Sequence, residues 1–449
     1  MSELLALAAR IVDRAASGEA IEAFVTHERE FEVKAYDGAV ETSSAAEPRG
    51  AGVRVVTDHR VGFAFTTDLT EAGLDTALGD ARENARHTTP DDAVGLPEPE
   101  DVSGELPDMF DRSILEETAE TKAAFAVELE RVTRQADPRI RTVEEAGYSD
   151  SLTDVAIAST TGIAAAYQRS DAWCYSIAIA EDGGDTEVGF EFDLARSLSG
   201  LDSAEVGRRA AERALRVLGA TKIPSARIPV VFDPYTAAQF LGVIARVMTG
   251  EAVQKGRSLF AGRLGEQVAA EGIDLVDDGR AVGAPGAAAW DDEGVPTRRT
   301  EVIRDGILSS FLYDTVSARR DGRASTANAA RSGFKTPPGP SPSNMAFDPT
   351  GGSRDDVMRS GGRALLVQDF HGVHSGANPI SGDFSVGITG ALLENGEVGR
   401  PVKEVTIAAP MLDILRNITA VADDRRWLPF GGSFGGATTL VSEMTVAGS

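Results

Sequence analysis

Cysteine is all but missing. Cys174 is the only one in 449 residues, so no intramolecular disulfide can form, and a disulfide-stapled scaffold is excluded. It lies in Asp171-Ala-Trp-Cys-Tyr-Ser-Ile-Ala-Ile179, an alternating run that reads as a strand in which the thiol is a small buried hydrophobe. Lysine is nearly as scarce, six against 38 arginines, and the formal net charge is −26. So acidic a chain is a poor direct ligand for nucleic acid, which needs Lys and Arg to neutralise phosphates. Many carboxylates with little lysine fit a protein kept soluble in high salt, where ions screen their repulsion. High-GC coding also favours arginine but does not alone give this acidic excess, so a halophilic source is the preferred explanation. No run of 18 apolar residues occurs, and no membrane span is expected. The stretch from Leu4 to Ala16 is interrupted by Arg10, Asp13 and Arg14, which makes it an amphipathic helix rather than a secretory segment. A cytoplasmic protein is expected.

Chemistry-bearing motifs are equally sparse. There is no G-x-S-x-G elbow and no G-x-x-x-x-G-K-[ST] phosphate loop. Of five histidines, His27, His59 and His87 stand beside turn or helix-end signals and read as surface residues. His371-Gly-Val-His374 has the spacing of some metal pairs, but a zinc site needs further ligands in space. Asp291, Asp292 and Glu293 are three consecutive carboxylates, which raise one another's pKa. They could form a general-base cluster or an ion site. Consecutive strand residues point to opposite faces, though, so an acidic turn ended by Gly294 is the competing reading.

The length suffices for two domains with separate cores, and the 42% hydrophobic content is that of a globular protein. Apolar spacing predicts helices near 3–17, 69–87, 113–135 and 203–218. Between them lie strand-like runs and a hairpin turn at Asp37-Gly38. This gives an N-terminal domain over 1–222 with helices packed on one antiparallel sheet, within an α+β fold. Lys222 to Arg227 marks the boundary. A C-terminal domain over 223–449 should be β-rich with long loops. There the stripe Phe240, Leu241, Ile244, Val247 and Met248 predicts a helix running on into Gly250-Glu251. Residues 331 to 348, with four prolines, read as a surface loop or lid.

That helix leads into Met248-Thr-Gly-Glu-Ala-Val-Gln-Lys-Gly-Arg257. Farther on come Asp291-Asp-Glu-Gly-Val295 with Thr297, then Asp314-Thr-Val-Ser-Ala-Arg319 and Gly322-Arg-Ala-Ser-Thr-Ala-Asn-Ala329. Pro342-Ser-Asn344, Asn378-Pro-Ile-Ser-Gly-Asp-Phe-Ser385 and Glu394-Asn-Gly-Glu397 follow. Near the start stand Arg49-Gly-Ala-Gly-Val-Arg54 and Gly62-Phe-Ala-Phe-Thr-Thr-Asp68. Each is unspecific alone. In this order they resemble the TldD/PmbA family, in which one subunit type carries an HExxxH zinc helix and its PmbA/TldE-type sister does not. The resemblance puts Gly250 and Lys255 where the zinc-ligand histidines would stand, with Glu251-Ala-Val253 and Gly256 kept. It also implies a late cysteine ligand, and residues 428–438 contain none.

The resemblance implies a metal-free subunit that binds no cofactor itself and pairs with a TldD-type subunit carrying zinc. The pair would act on unfolded peptides as a metalloprotease. No catalytic residue is assigned here. Candidates for the cleft or partner surface are Glu251, Lys255, Arg257, Asp314, Arg319, Asn328, His374, Asn378 and Asp383. Arg319 could hold a peptide carboxylate or an acid of the partner, or form a salt bridge with Asp314 or Asp321. Asn378 and Asp383 could simply close their own turn. Self-pairing into a homodimer in isolation stays open. So do two alternatives: a stand-alone hydrolase using Glu251 or the Asp291–Glu293 cluster, and a regulatory protein-binding module in line with the family's older label as a modulator of DNA gyrase.

Overall fold

Strand β1 (Ala20–Tyr36) is the axis of the first unit. In the computed structural model, which describes residues 2–102, 106–429 and 432–448, β1 pairs antiparallel with three neighbours. These are β2 (Ala39–Ala46), β3 (Arg49–Thr57) and, along most of its length, β5 (Ile140–Ser159). With β4 (Arg60–Thr66), β6 (Ala164–Asp182) and β7 (Asp185–Ala195) they form a seven-stranded sheet in the order β4-β3-β1-β5-β6-β7. β2 lies alongside the distal part of β1.

Side chains alternate across a strand, and the two faces of β1 differ. Ile21, Ala23 and Val25 join Val53 and Val55 of β3 beneath helices α1 (Ser2–Val12) and α2 (Glu71–His87), packing on Leu7, Ile11, Leu74 and Leu78. Glu22 and Phe24 point the other way. At the far end of the sheet, Leu129 of α3 (Ala119–Gln135) and Val206 of α4 (Ser203–Val217) pack against Val143, Ala146 and Cys174. The thiol is buried, and burial pushes its pKa up, as expected for an inert core cysteine. The helix expected from Ser113 begins only at Ala119. Residues Arg112–Leu115 form a 3₁₀ turn, and the Thr118 side chain accepts the Thr121 N–H to cap α3.

The first unit comprises Met1–Leu215 together with two stretches from later in the chain, Ala288–Thr297 and Tyr313–Pro340. They pack on the Glu22/Phe24 face. Phe334 is buried with Phe24, Val155, Ile157 and Ile163, and Trp290 stacks on Tyr167 with ring centroids 6.3 Å apart. The lid expected over 331–348 is therefore not a lid. Arg331 and Phe334 are core residues, and Met345–Phe347 is a buried central strand. Pro337, Pro338 and Pro342 lie in irregular backbone between these anchors, and Pro340 pairs with Ala329 in a short antiparallel ladder.

The second unit holds Arg216–Ala287, Arg298–Leu312 and Ser341–Ser449. Its larger sheet runs Arg363–His371, Ala226–Phe232, Thr439–Ala447, Glu397–Pro410, Asp383–Glu394 and Ala377–Asn378. Pairing of Arg363–His371 with Asp383–Glu394 closes it on itself. A smaller six-stranded sheet is centred on Leu275–Asp278 and Met345–Phe347. Helix Pro234–Ala245, capped by Asp233, contributes Phe240 to an edge-to-face ring cluster with Phe232, Phe370 and Phe384. The protein is thus an α+β fold in which both units are dominated by sheet.

Candidate functional site

The helix expected to run into Gly250-Glu251 is broken. Pro234–Ala245 ends, and a separate five-residue helix, Gly250–Gln254, begins after Thr249. The break has two causes, one local and one distant. Thr249 has an extended backbone, and its hydroxyl accepts the Ala252 N–H at 3.2 Å as an N-cap. The chain here bonds to Leu312, whose N–H donates to Met248 O at 3.0 Å and whose carbonyl accepts from Gly250 at 2.9 Å. At the other end Gly256 sits at φ +64°. Its N–H reaches Val253 O at 3.0 Å, while Arg257 N–H reaches Ala252 O at 2.8 Å. That is a Schellman termination, which favours glycine at the left-handed position. The retained Gly256 is therefore explained by backbone geometry alone.

On this helix Lys255 Nζ lies 2.7 Å from Glu251 Oε1, both side chains about half exposed. The one carboxylate left from the motif is thus bound by the ammonium at the second ligand position, and Gly250 offers no side chain at the first. Among the described residues no three His, Cys, Asp or Glu side chains converge as a ligand set. Of residues 428–438, Phe430 and Gly431 lie outside the described residues. Zinc needs imidazole, thiolate or carboxylate lone pairs, and the donors on this helix do not fit it. Arg257 is exposed.

The other chemistry-rich cluster is in the first unit. Glu22 and Arg54 are register partners on β1 and β3, with Arg54 Nη2 2.5 Å from Glu22 Oε2. Arg54 Nη1 reaches Glu293 Oε1 at 2.8 Å, and Arg331 pairs with the second oxygen of Glu22. All four are almost fully buried. Glu293 Oε2 also accepts the Thr315 N–H at 3.0 Å. Burial opposes its charge, but Arg54 and the Thr315 bonds hold its pKa below the ordinary carboxylate range. Asp291 goes the opposite way, pushed up by burial and by the Glu293 charge, although three backbone N–H groups (Glu293, Val295 and Ala329) bond to it. Asp292 Oδ2 accepts the Arg331 N–H at 2.7 Å, and burial raises its pKa as well. The three acids do not converge on one point. Each closes a different piece of backbone, the three standing in a turn rather than a strand.

Asp314 caps helix Thr315–Arg320, accepting Ser317 N–H at 2.8 Å and Ser317 Oγ at 2.5 Å. Arg319 forms a salt bridge with neither Asp314 nor Asp321. Its Nη2 donates to Leu96 O at 2.7 Å across Gly95, where any Cβ would strike the guanidinium. Arg320 pairs with Asp91 at 2.6 Å, so this helix end clasps the 91–96 connection. Asn328 is buried and accepts from Thr326 Oγ1 at 2.7 Å. In the second unit His371 bonds Thr389 Oγ1 at 2.7 Å, and His374 is exposed on the short helix Val373–Gly376. Asn378 Oδ1 accepts from Ile380 and Ser381 at 3.0 and 3.2 Å, closing its own turn. Asp383 accepts from Ser381 Oγ at 2.6 Å. Glu22, Arg54 and Arg331 were not among the sequence candidates. Acidic Glu22 inside an apolar strand run was the available signal.

Sequence models of the PmbA/TldA metallopeptidase family match in three parts: domain 1 over residues 21–85, the central domain over 112–218 and the C-terminal domain over 225–448. The chain belongs to this family. It is similar to metalloprotease PmbA of Escherichia coli O157:H7, with 28% identity over 412 residues, covering 92% of this chain and 88% of that one. It is also similar to a metalloprotease TldD homologue of Haemophilus influenzae, 28% identical over 406 residues, covering 86% and 82%. Among solved structures, a candidate modulator of a DNA gyrase from Thermotoga maritima superposes with TM-score 0.88 at 26% identity, covering 99% of each chain. TldE of Thermococcus kodakarensis gives the same TM-score over the whole of both chains. At 23% identity that match speaks to the fold alone.

Proposed function

We propose that this chain is the metal-free, PmbA/TldE-type subunit of a two-component peptidase, completing the cleft of a TldD-type partner that carries zinc and acts on unfolded peptides. One observation carries the reading. The Gly250–Gln254 helix keeps its cap, its Glu251 and its terminating glycine, yet has Gly250 and the Glu251-bound Lys255 at the ligand positions. A helix so preserved without its metal donors fits a shape that serves a partner. The resemblance to relatives named for PmbA and for TldD supports the pairing. The alternative of a hydrolase built on Asp291–Glu293 is disfavoured, because those carboxylates are engaged by backbone N–H groups and by Arg54.

The test is reconstitution. The pure chain should carry well below one metal ion per molecule and leave an unstructured peptide intact. Adding a TldD-type subunit should give cleavage that a zinc chelator abolishes, and Glu251→Gln in this chain should change the rate less than about twofold. Cleavage by the pure chain, lost in Glu251→Gln, would replace this reading with the stand-alone hydrolase.

A further inference from the structure

The broken helix of the second unit leaves a basic surface on an acidic chain. From Arg246 to Arg263 stand four cations, Arg246, Lys255, Arg257 and Arg263, against one carboxylate, Glu251, in a protein of net charge −26. Two of the four are engaged. Lys255 holds Glu251 at 2.7 Å, and Arg263 reaches Glu266 at 3.2 Å. Arg246 and Arg257 are exposed, and among the described residues neither has a carboxylate partner. The fold keeps these two close. The Ser258 hydroxyl is buried, donates to Val247 O and accepts the Phe260 N–H at 3.1 Å, so the residues next after Arg246 and Arg257 touch. The bond from Arg257 N–H to Ala252 O, at 2.8 Å, fixes the backbone that carries the second guanidinium.

We infer that Arg246 and Arg257 bind the carboxylates of an acidic unfolded peptide. This rests on the reading of the chain as a peptidase subunit and names its substrate class. Charge selects the occupant. The field of so acidic a chain repels an anionic peptide, so local unpaired cations are needed to hold one. A guanidinium fork matches the two oxygens of a carboxylate. Two such forks suit one or two carboxylates. They do not suit nucleic acid, whose binding depends on neutralising a row of phosphates. The ordinary alternative is that each arginine only complements a helix end, since Arg246 caps Pro234–Ala245 and Arg257 follows Gly250–Gln254. That role would add stability without any preference among peptides.

Fluorescence anisotropy on the intact chain at about 0.15 M salt tests this, with a labelled, unstructured peptide bearing several glutamates. It should bind at least about ten-fold more tightly (~1.4 kcal/mol) than the same peptide with glutamine for glutamate and an amidated C-terminus. Peptides altered in only one of these ways tell whether side-chain or terminal carboxylates make the contact. Arg246→Gln combined with Arg257→Gln should abolish the preference, and the two lysine replacements should keep most of it. Arg400→Gln, at an exposed arginine elsewhere in the unit, should leave it intact. At about 1 M salt, where the Debye length is ~3 Å, the preference should shrink. Equal affinity for the two peptides, or a double glutamine variant that melts lower yet keeps the preference, overturns the inference. Cleavage of a neutral peptide on mixing with a TldD-type subunit tests the two-component reading separately. The double variant should not alter that cleavage, and its absence would sink that reading while leaving the measured binding in place.

Discussion

Arg54 Nη1 lies 2.8 Å from Glu293 Oε1, two residues 239 positions apart in sequence and both almost fully buried. The contact joins the early strand β3 to the acidic Asp291–Val295 turn. Because Arg54 also holds Glu22, one guanidinium neutralises two buried carboxylates.

Removing Arg54 should therefore be severe. Arg54→Met keeps most of the volume but leaves Glu22 with Arg331 alone and Glu293 with only its Thr315 bond. Breaking a buried pair typically costs about 3–5 kcal/mol because the remaining charge is stranded. Urea denaturation should show that loss. A cost under about 1 kcal/mol would mean that the network is hydrated in solution.

Burial and the Glu293 charge raise the Asp314 carboxyl above its ordinary 3.8, against hydrogen bonds from Ser317 and the field of Arg54. A carboxyl raised in the folded state takes up its proton there before it does in the unfolded chain. Its contribution to stability is then complete below 3.8 and is lost as pH rises through the folded-state value. Asp314→Asn keeps a capping oxygen and removes the charge. The variant should be the more stable at pH 7, and its advantage should shrink as pH falls toward 4. Urea midpoints at several pH values would reveal a constant difference if Asp314 titrates normally.

Two glycines should respond very differently to alanine. At Gly62 a Cβ would fall 1.9 Å from Ala81 O and 2.4 Å from Ala85 N, so β4 and α2 cannot keep their contact. Gly62→Ala should cost several kcal/mol, on the order of other core overpacking. Gly256 has open space around its Cβ position, and only its left-handed backbone resists substitution. Gly256→Ala should cost about 1–2 kcal/mol. Equal losses measured by thermal melting would contradict this reading of both sites.

The net charge predicts a salt requirement. In dilute buffer, self-repulsion should lower the melting temperature, and at about 1 M salt, where the Debye length is ~3 Å, it should recover by several degrees. A melting temperature indifferent to salt would remove the halophile explanation.

Much of this fold is legible in the sequence, because helix periodicity and capping act over a few residues. Leu74, Leu78 and Ala81 mark α2, and Asp37-Gly38 marks its hairpin. The failures arise where distant segments decide. Thr249 ends one helix and starts another because Leu312 bonds the backbone on both sides of it. Arg331 and Phe334 sit among prolines and glycines that suggest a loop, and distant partners make them core: Glu22 and Phe24, more than 300 residues earlier in the sequence, with Val155, Ile157 and Ile163. Asp291 to Glu293 look reactive as a string of letters. Their hydrogen bonds are what make them structural, and spacing cannot convey those.

The return of residues 288–297 and 313–340 to the first unit also fixes an order of events during synthesis. At about 5–20 residues per second, the 239 positions between Arg54 and Glu293 take roughly 10–50 seconds to emerge from the ribosome. Throughout that interval the nascent sheet lacks one layer of its core, and Phe24 has no Phe334 to cover it. Glu22 and Arg54, as direct neighbours across two early strands, can neutralise each other meanwhile. The cross-strand pair keeps a half-made domain from carrying a lone charge until the rest of the chain arrives.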